Sequence, residues 1–334
     1  MSLMNKDINN IAIVRLSALG DIVNSAVVLQ FIAQKYPHAK IDWITEEVFS
    51  PILKEHPLIN QVHTVNLKKF KQNKSLSLLR KTIQNVLSFG NFDIIIDMQG
   101  LIKSAIVTKV IGKNTHGFDK NSTRESLASL FYKTTTTISY ESGVVQRNSF
   151  VVGDALKFTI TDKMILQKKP IFEVSKIFTF KSSVKNIAFV IGASWSSKIY
   201  PKELVLQVCE ELQKDVHIIW GNDEEKKNAQ WICQRTQYAK LAPKLQLSEL
   251  VSYISHMDLL IGNDTGPTHM AWAQNIPSIT LFGPTTTRMI FETPINIGIK
   301  SPSKVNILKI NKDDYSIKEI NPTSIVTKAK ELLK

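Results

Sequence analysis

The feature that most constrains this chain is a rhythm. Short apolar runs of strand length are interleaved with longer amphipathic stretches, once through the first half and again through the second. In the first half the runs "IAIVRL", "KIDWIT", "VHTVNL" and "FDIIIDMQ" are separated by "DIVNSAVVLQFIAQKY", "EEVFSPILKEH" and "SLSLLRKTIQNVLSF", and followed by "LIKSAIVTKVIG". In the second half "NIAFVIGAS", "VHIIWGN", "DLLIGND" and "SITLFG" are interleaved with "PKELVLQVCEELQ", "EEKKNAQWICQRT", "LSELVSYISHM" and "HMAWAQN". Strands joined through helices of that length lie parallel, so the pattern predicts α/β architecture with doubly wound sheets. The alternation lapses over residues 158–185, which read as a connection between two domains, 1–170 and 171–334. A single core stops growing near about 250–300 residues, so 334 residues accommodate two. A last amphipathic segment, "SIVTKAKELLK", is free by its pattern to lie on either domain.

Ligands of doubly wound sheets collect at the carboxyl ends of the strands, where loops and helix N-termini converge. Four turns after strands therefore stand out: "SALGD" (17–21), "DMQG" (97–100), "GASWSSK" (192–198) and "GNDTGPTH" (262–269). Asp264-Thr265-Gly266 in the last of these is also the triplet of aspartic proteases. That chemistry needs a second carboxylate loop, and no other Asp-Thr-Gly or Asp-Ser-Gly occurs. With an apolar run before it and a Pro267-started helix after it, the triplet belongs to a strand–turn–helix. Gly262 and Gly266 permit close approach of backbone to a ligand, and the helix N-terminus that follows suits an anion such as phosphate. Thr265, Thr268 and His269 add side-chain donors; an ordinary turn capped by Asp264 or Thr265 is the plainer reading. No P-loop and no Gly-x-Gly-x-x-Gly after the first strand is present, so nucleotide binding would need another fingerprint.

The remaining candidates each carry two readings. Lys198 is a solvated loop lysine or a phosphate contact. Glu224 and Glu225 complement a helix dipole, or bind a ribose hydroxyl or an adenine amine. Asp21 caps a helix, or serves as a general base. Of the formal charge of +13, the first 170 residues carry +9 (22 Lys/Arg against 13 Asp/Glu). Within them the run 68–81 holds six cations and no acid, which points to an anionic partner or a solvated face. That run interleaves only Phe70, which argues against nucleic acid. Cys209 and Cys233 imply no disulfide framework and fit a reducing cytoplasm. No run of about 18 apolar residues and no signal-peptide pattern is present, so a membrane-spanning protein is not expected.

Taken in order, "RLSALGDIVNSAVVLQF", "DWITEEVF", "FDIIIDMQGLIKSA", "HGFDKNSTRESLASLFY" and "NDTGPTHMAWAQNIPSITLFGPT" resemble the inverting ADP-heptose glycosyltransferases of family 9, which have the GT-B fold. "DWITEE" and "STRESLASLFY" look like the branch that adds the first heptose of lipopolysaccharide; the branch acting on an already heptosylated core is the alternative. The resemblance implies two Rossmann-like domains facing across a cleft, an N-terminal one for the acceptor and a C-terminal one for ADP-heptose. It implies transfer of heptose onto Kdo of Kdo2-lipid A at the cytoplasmic face of the inner membrane, by a peripheral enzyme without metal, cofactor or nucleic acid. Carried over by position, the base is Asp21. The donor contacts are Asp264, Thr265, Gly266, His269, Lys198, Glu225 (or Glu224) and Leu245, with Ser194 keeping one hydroxyl where the family has a pair. The acceptor's carboxylates and phosphates, set beside the basic first half, point to Lys68, Lys69, Arg80, Lys103 and Arg124.

Overall fold

The computed structural model describes residues 8–67, 76–180 and 184–334. The chain divides into two compact units, Met1–Lys168 and Lys169–Lys334. In the first unit the elements run β1 (Asn10–Val14), α1 (Leu19–Ser25), α2 (Val28–Lys35), β2 (Lys40–Glu46), α3 (Pro51–Lys54), β3 (Gln61–Val65), α4 (Leu76–Leu87), β4 (Ile94–Asp97), α5 (Ile102–Ile111), β5 (Thr115–Phe118), β6 (Thr134–Thr136), α6 (Val144–Leu156) and α7 (Asp162–Leu166). The second runs β7 (Asn186–Val190), α8 (Lys202–Leu212), β8 (Asp215–Ile219), α9 (Asp223–Cys233), β9 (Ala239–Leu241), α10 (Leu247–Ser255), β10 (Leu259–Asn263), α11 (Gly266–Ala273), β11 (Ser278–Phe282), β12 (Asn296–Lys300) and α12 (Pro322–Leu332).

Each unit holds one six-stranded sheet, and all the strand pairs are parallel. The orders are β3-β2-β1-β4-β5-β6 and β12-β11-β10-β7-β8-β9. Both are the doubly wound order in which the chain leaves the centre in one direction and later returns to leave in the other. The central strands explain themselves by composition. Ile11–Val14, all of β7 and all of β10 are buried, as strands covered by helices on both faces must be. The reversal falls between β1 and β4 in the first unit and between β7 and β10 in the second.

The sheets are longer than the sequence rhythm indicated. β5, β6, β9, β12 and helix α6 fall outside the runs read as elements, and β6 ("TTT") and β9 ("AKL") are too short to show a period. The stretch 21–36 is two helices, tightened at Ala26, whose carbonyl accepts from the Leu29 N–H. "EEVFSPILKEH" yields only a 3₁₀ turn and the four residues of α3. The last helix packs on the second unit: Ile325, Val326 and Ala329 share a core with Val205 and Val208 of α8. Cys209 is buried in that core, Cys233 is half-buried, and both are free thiols. Among the described residues no helix is long and apolar enough to cross a membrane.

One buried side chain ties the second sheet together at its reversal. Asn263 ends β10 with no exposure. Its amide donates to the carbonyls of Ile191 (3.1 Å) and Gly192 (3.2 Å), and its oxygen accepts from the Tyr200 N–H (3.1 Å). Replacing it by an isosteric apolar group strands three backbone partners. At about 1 kcal/mol for each buried hydrogen bond, Asn263→Leu is expected to destabilise the second unit by about 3 kcal/mol in urea unfolding. A loss under about 1 kcal/mol would show that the loop after β7 holds its shape without this tie.

Candidate active site

In the first unit the loops after β1 and β4 meet at the reversal. The Leu16 N–H donates to Gln99 Oε1 (2.9 Å), and the Arg15 guanidinium donates to the Met98 carbonyl. Asp97, wholly buried at the end of β4, shapes the "DMQG" turn. It accepts from the N–H groups of Gln99 (2.7 Å) and Gly100 (3.1 Å) and from the Tyr132 hydroxyl (2.7 Å). Burial pushes the Asp97 carboxyl above its ordinary pKa despite these donors, and burial with the Asp97 charge pushes the Tyr132 hydroxyl up. Gly100 has φ +66°, and a Cβ there would lie 2.8 Å from Phe118, so the turn requires glycine.

Asp21 sits in the first turn of α1. Its Oδ2 accepts from the Ala18 N–H at 3.2 Å, so it does cap the helix. Its Oδ1 lies 2.8 Å from Arg15 Nη2, with the arginine side chain 9% exposed and the carboxylate 23%. The carboxylate is thus oriented from two sides and still open to solvent. The Lys103 ammonium donates to Ser17 Oγ (3.0 Å) in the same loop. Arg124, about half exposed, lies 3.9 Å from Glu125, whose other oxygen accepts from the Ile102 N–H at the start of α5. Arg80 is exposed on α4. Lys68 and Lys69 lie outside the described residues.

The second unit's reversal gathers most of the donor candidates. Lys198 Nζ lies 2.8 Å from Asp264 Oδ2, and His269 Nε2 lies 3.0 Å from Asp264 Oδ1. All three residues are buried. Lys198 is therefore no solvated loop lysine, and Asp264 is no helix cap, because both its oxygens are engaged by cation and imidazole. Burial works against the Asp264 charge, but Lys198 and His269 together outweigh it and hold the carboxyl well below its ordinary range. Thr265 is the N-cap of α11 through its backbone, without a side-chain hydrogen bond. The Thr268 hydroxyl is spent on the Asn263 carbonyl (2.7 Å), so it is not a donor to a ligand. Gly266 opens α11 with Pro267 behind it, which puts the positive end of that helix beside Lys198.

A cavity of about 410 Å³ is lined by Ala193, Ser194, Trp195, Asn222, Glu224 and Glu225 among others; no residue of the Lys198, Asp264 and His269 triad lines it, but Ser196 and Ile199, on either side of Lys198 in the chain, do. Both acidic candidates reach it; Leu245, half-buried, is not in its lining. Glu225 accepts from the Gly221 N–H and from the Asn222 amide, each at 2.7 Å. Its carboxylate lies over Gly192, where a Cβ would come within 2.5 Å. Trp195 carries two ammonium groups near its ring, Lys198 at 5.3 Å and Lys312 at 5.0 Å. Arg15, Gln99, Trp195 and Lys312 were not singled out from the sequence. Only Arg15 left a signal there, as a charge closing the otherwise apolar run "IAIVR".

The residues 80–312 match the model of glycosyltransferase family 9 (heptosyltransferase). The chain belongs to that family. It is 38% identical to lipopolysaccharide heptosyltransferase 1 of Campylobacter coli over 96% of this chain and 98% of that one. It is 27% identical to lipopolysaccharide heptosyltransferase 1 of Pseudomonas aeruginosa over 82% and 79%. Among solved structures it superposes on the E. coli heptosyltransferase WaaC with ADP-2-deoxy-2-fluoro heptose, with a TM-score of 0.79 at 22% identity, covering 96% and 99% of the two chains. That likeness shows the GT-B fold expected of the family. Neither the family match nor the fold assigns roles to single side chains, which the geometry above must supply.

The buried triad generates a pH test. A carboxylate whose folded pKa is depressed contributes stability above its unfolded value, about 3.9, and loses it as pH falls through the folded one. The second unit should therefore weaken steadily below about pH 4. Asp264→Asn leaves Lys198 buried without its counter-charge, which is expected to cost about 3–5 kcal/mol at neutral pH and to flatten the acid limb of the stability curve. Urea unfolding from about pH 3 to 7 measures both; a variant as stable as the parent at pH 7 would mean the triad carries no net electrostatic weight.

Proposed function

We propose that this family 9 glycosyltransferase moves heptose from ADP-heptose onto a Kdo hydroxyl of Kdo2-lipid A, with inversion, as a peripheral enzyme at the cytoplasmic face of the inner membrane. In this reading the first unit takes the acceptor and the second the donor. The observation that carries it is the pairing of two unlike reversals: a solvent-open carboxylate held by Arg15 in one unit, and in the other a buried lysine at a helix N-terminus, whose chain neighbours line a cavity of about 410 Å³. The relatives named heptosyltransferase 1, aligned along most of their length, favour addition of the first heptose over the second.

Inverting transfer needs one base and a means of neutralising the leaving group. Asp21 takes the proton of the acceptor hydroxyl while that oxygen forms a bond to the anomeric carbon from the face opposite ADP. The carbon–oxygen bond to ADP breaks, and the electron pair leaves with the diphosphate. Lys198 and the N–H groups at the start of α11 meet the charge that develops there. Asp264 acts through them: it is the counter-charge that positions Lys198, and it fixes His269. Ser194 serves the diphosphate with its one hydroxyl, and Glu225, in the same cavity lining, is suited to accept hydrogen bonds from the ribose hydroxyls.

Asp21→Asn is expected to lower turnover by about 10²–10⁴ while ADP affinity, read by calorimetry, stays unchanged. Product mass spectrometry with ADP-heptose and Kdo2-lipid A is the direct check. Product formed only on an already heptosylated core would replace this reading with the second-heptose alternative. Gly192→Ala should act oppositely to Asp21→Asn. A methyl group displaces the Glu225 carboxylate, and loss of a charged hydrogen bond worth about 1.5–3 kcal/mol should weaken ADP binding by roughly tenfold or more with little loss of stability. Unchanged ADP affinity in that variant would remove Glu225 from the donor site.

A further inference from the structure

The 3₁₀ segment Ser126–Phe131 places its apolar residues in an unusual way. With three residues per turn, residues i and i+3 line up, so "SLASLF" presents three separate stripes. Ala128 and Phe131 turn inward against Ala105 and Ile102 of α5, where Tyr132 joins them in a small core. Leu127 and Leu130 form the next stripe and are 60% and 77% exposed. Ile106, on the outer face of α5, is 44% exposed. Around these residues stand Lys103 and Lys109, three positions to either side of Ile106 on α5, with Arg124 and Lys133 bracketing the 3₁₀ segment. Glu125 is the one carboxylate in 122–133, and 100–118 holds none; its charge is engaged at the start of α5.

We propose that this face, with Leu127 and Leu130 at its centre, is where the enzyme inserts into an anionic lipid surface. It deepens the functional reading above, on which it rests, because an acceptor anchored in a bilayer requires the acceptor unit to reach the headgroups. Two isolated leucines held outward by a rigid short helix suit shallow insertion, and the surrounding cations suit anionic headgroups. A second copy of the chain fits less well. A two-fold contact through this patch sets the same cations against one another. The patch also continues into the site: Lys103, on the same helix as Ile106, donates to Ser17 in the loop that carries Asp21.

The test uses the full chain and vesicles that contain no acceptor, either neutral phosphatidylcholine or the same lipid with phosphatidylglycerol. Leu127→Ser combined with Leu130→Ser should lower partition onto anionic vesicles by roughly thirtyfold. Lys109→Gln with Lys133→Gln should lower it by roughly fivefold per charge, and only at low salt. Leu130→Trp serves as a reporter that needs no loss of binding, with a blue shift of its emission expected on vesicle addition. The serine variant should keep the parent's ADP affinity and its turnover of a lipid-free acceptor from which both the ester- and the amide-linked acyl chains have been removed. Vesicle binding equal to the parent's in the serine variant overturns the proposal. So does an unshifted emission from the vesicle-bound Leu130→Trp variant, or a parent dimer that the serine variant abolishes. Failure of the parent to transfer heptose to the lipid-free acceptor would instead strike the functional reading, whatever the vesicles show.

Discussion

At the middle of each sheet, two neighbouring parallel strands send their chains away in opposite directions. The gap this leaves cannot be filled by either connection, so whatever loops border it must be held in place by their own hydrogen bonds. Both units solve the problem with one polar side chain from the loop region of the later strand. Gln99 accepts from the backbone after β1, and Asn263 bridges to the backbone after β7. With those loops fixed, the residues beyond them acquire defined positions, which Tyr132 in the first unit and Lys198 in the second reinforce.

Two carboxylates near these gaps have opposite fates, and solvent access decides which. Asp264 is 3% exposed and surrounded by a lysine and a histidine, so it serves as an internal counter-ion in a dry place. Asp21 is 23% exposed, with a single arginine alongside, and retains an open edge through which a proton can be taken. The sequence pattern alone does not distinguish them, since each is an aspartate in a glycine-containing turn ahead of a helix.

The loops, the parallel sheets and the two-domain organisation were legible because they rest on local signals: apolar runs, glycines in turns and proline at a helix start. What escaped rests on tertiary burial. β6 and β9 are edge strands of three residues whose pairing partners, not their own composition, make them strands. Lys198 read most simply as solvated, yet it is buried by a carboxylate 66 positions away in the sequence. Thr268 looked like a ligand donor until its hydroxyl proved to close the turn of its own helix. The resemblance to a family pointed to residues in several separate turns, and only the fold brings Lys198 onto Asp264 and His269.

The place of α12 has a consequence for how the molecule is made. Its Ile325, Val326 and Ala329 complete the core that α8 begins, although it emerges about 120 residues after α8. At about 5–20 residues per second the ribosome takes several seconds or more to supply it, during which the core that holds Val205 and Val208 lacks the side chains of this helix. The first unit has a wait of the same kind: α6 packs on α1, and its Asn148 amide donates to Ser25 Oγ, 123 positions earlier in the chain. During synthesis each unit therefore stays open to chaperones and to misassociation until its last packed helix emerges, and the second passes through that interval after the first has closed.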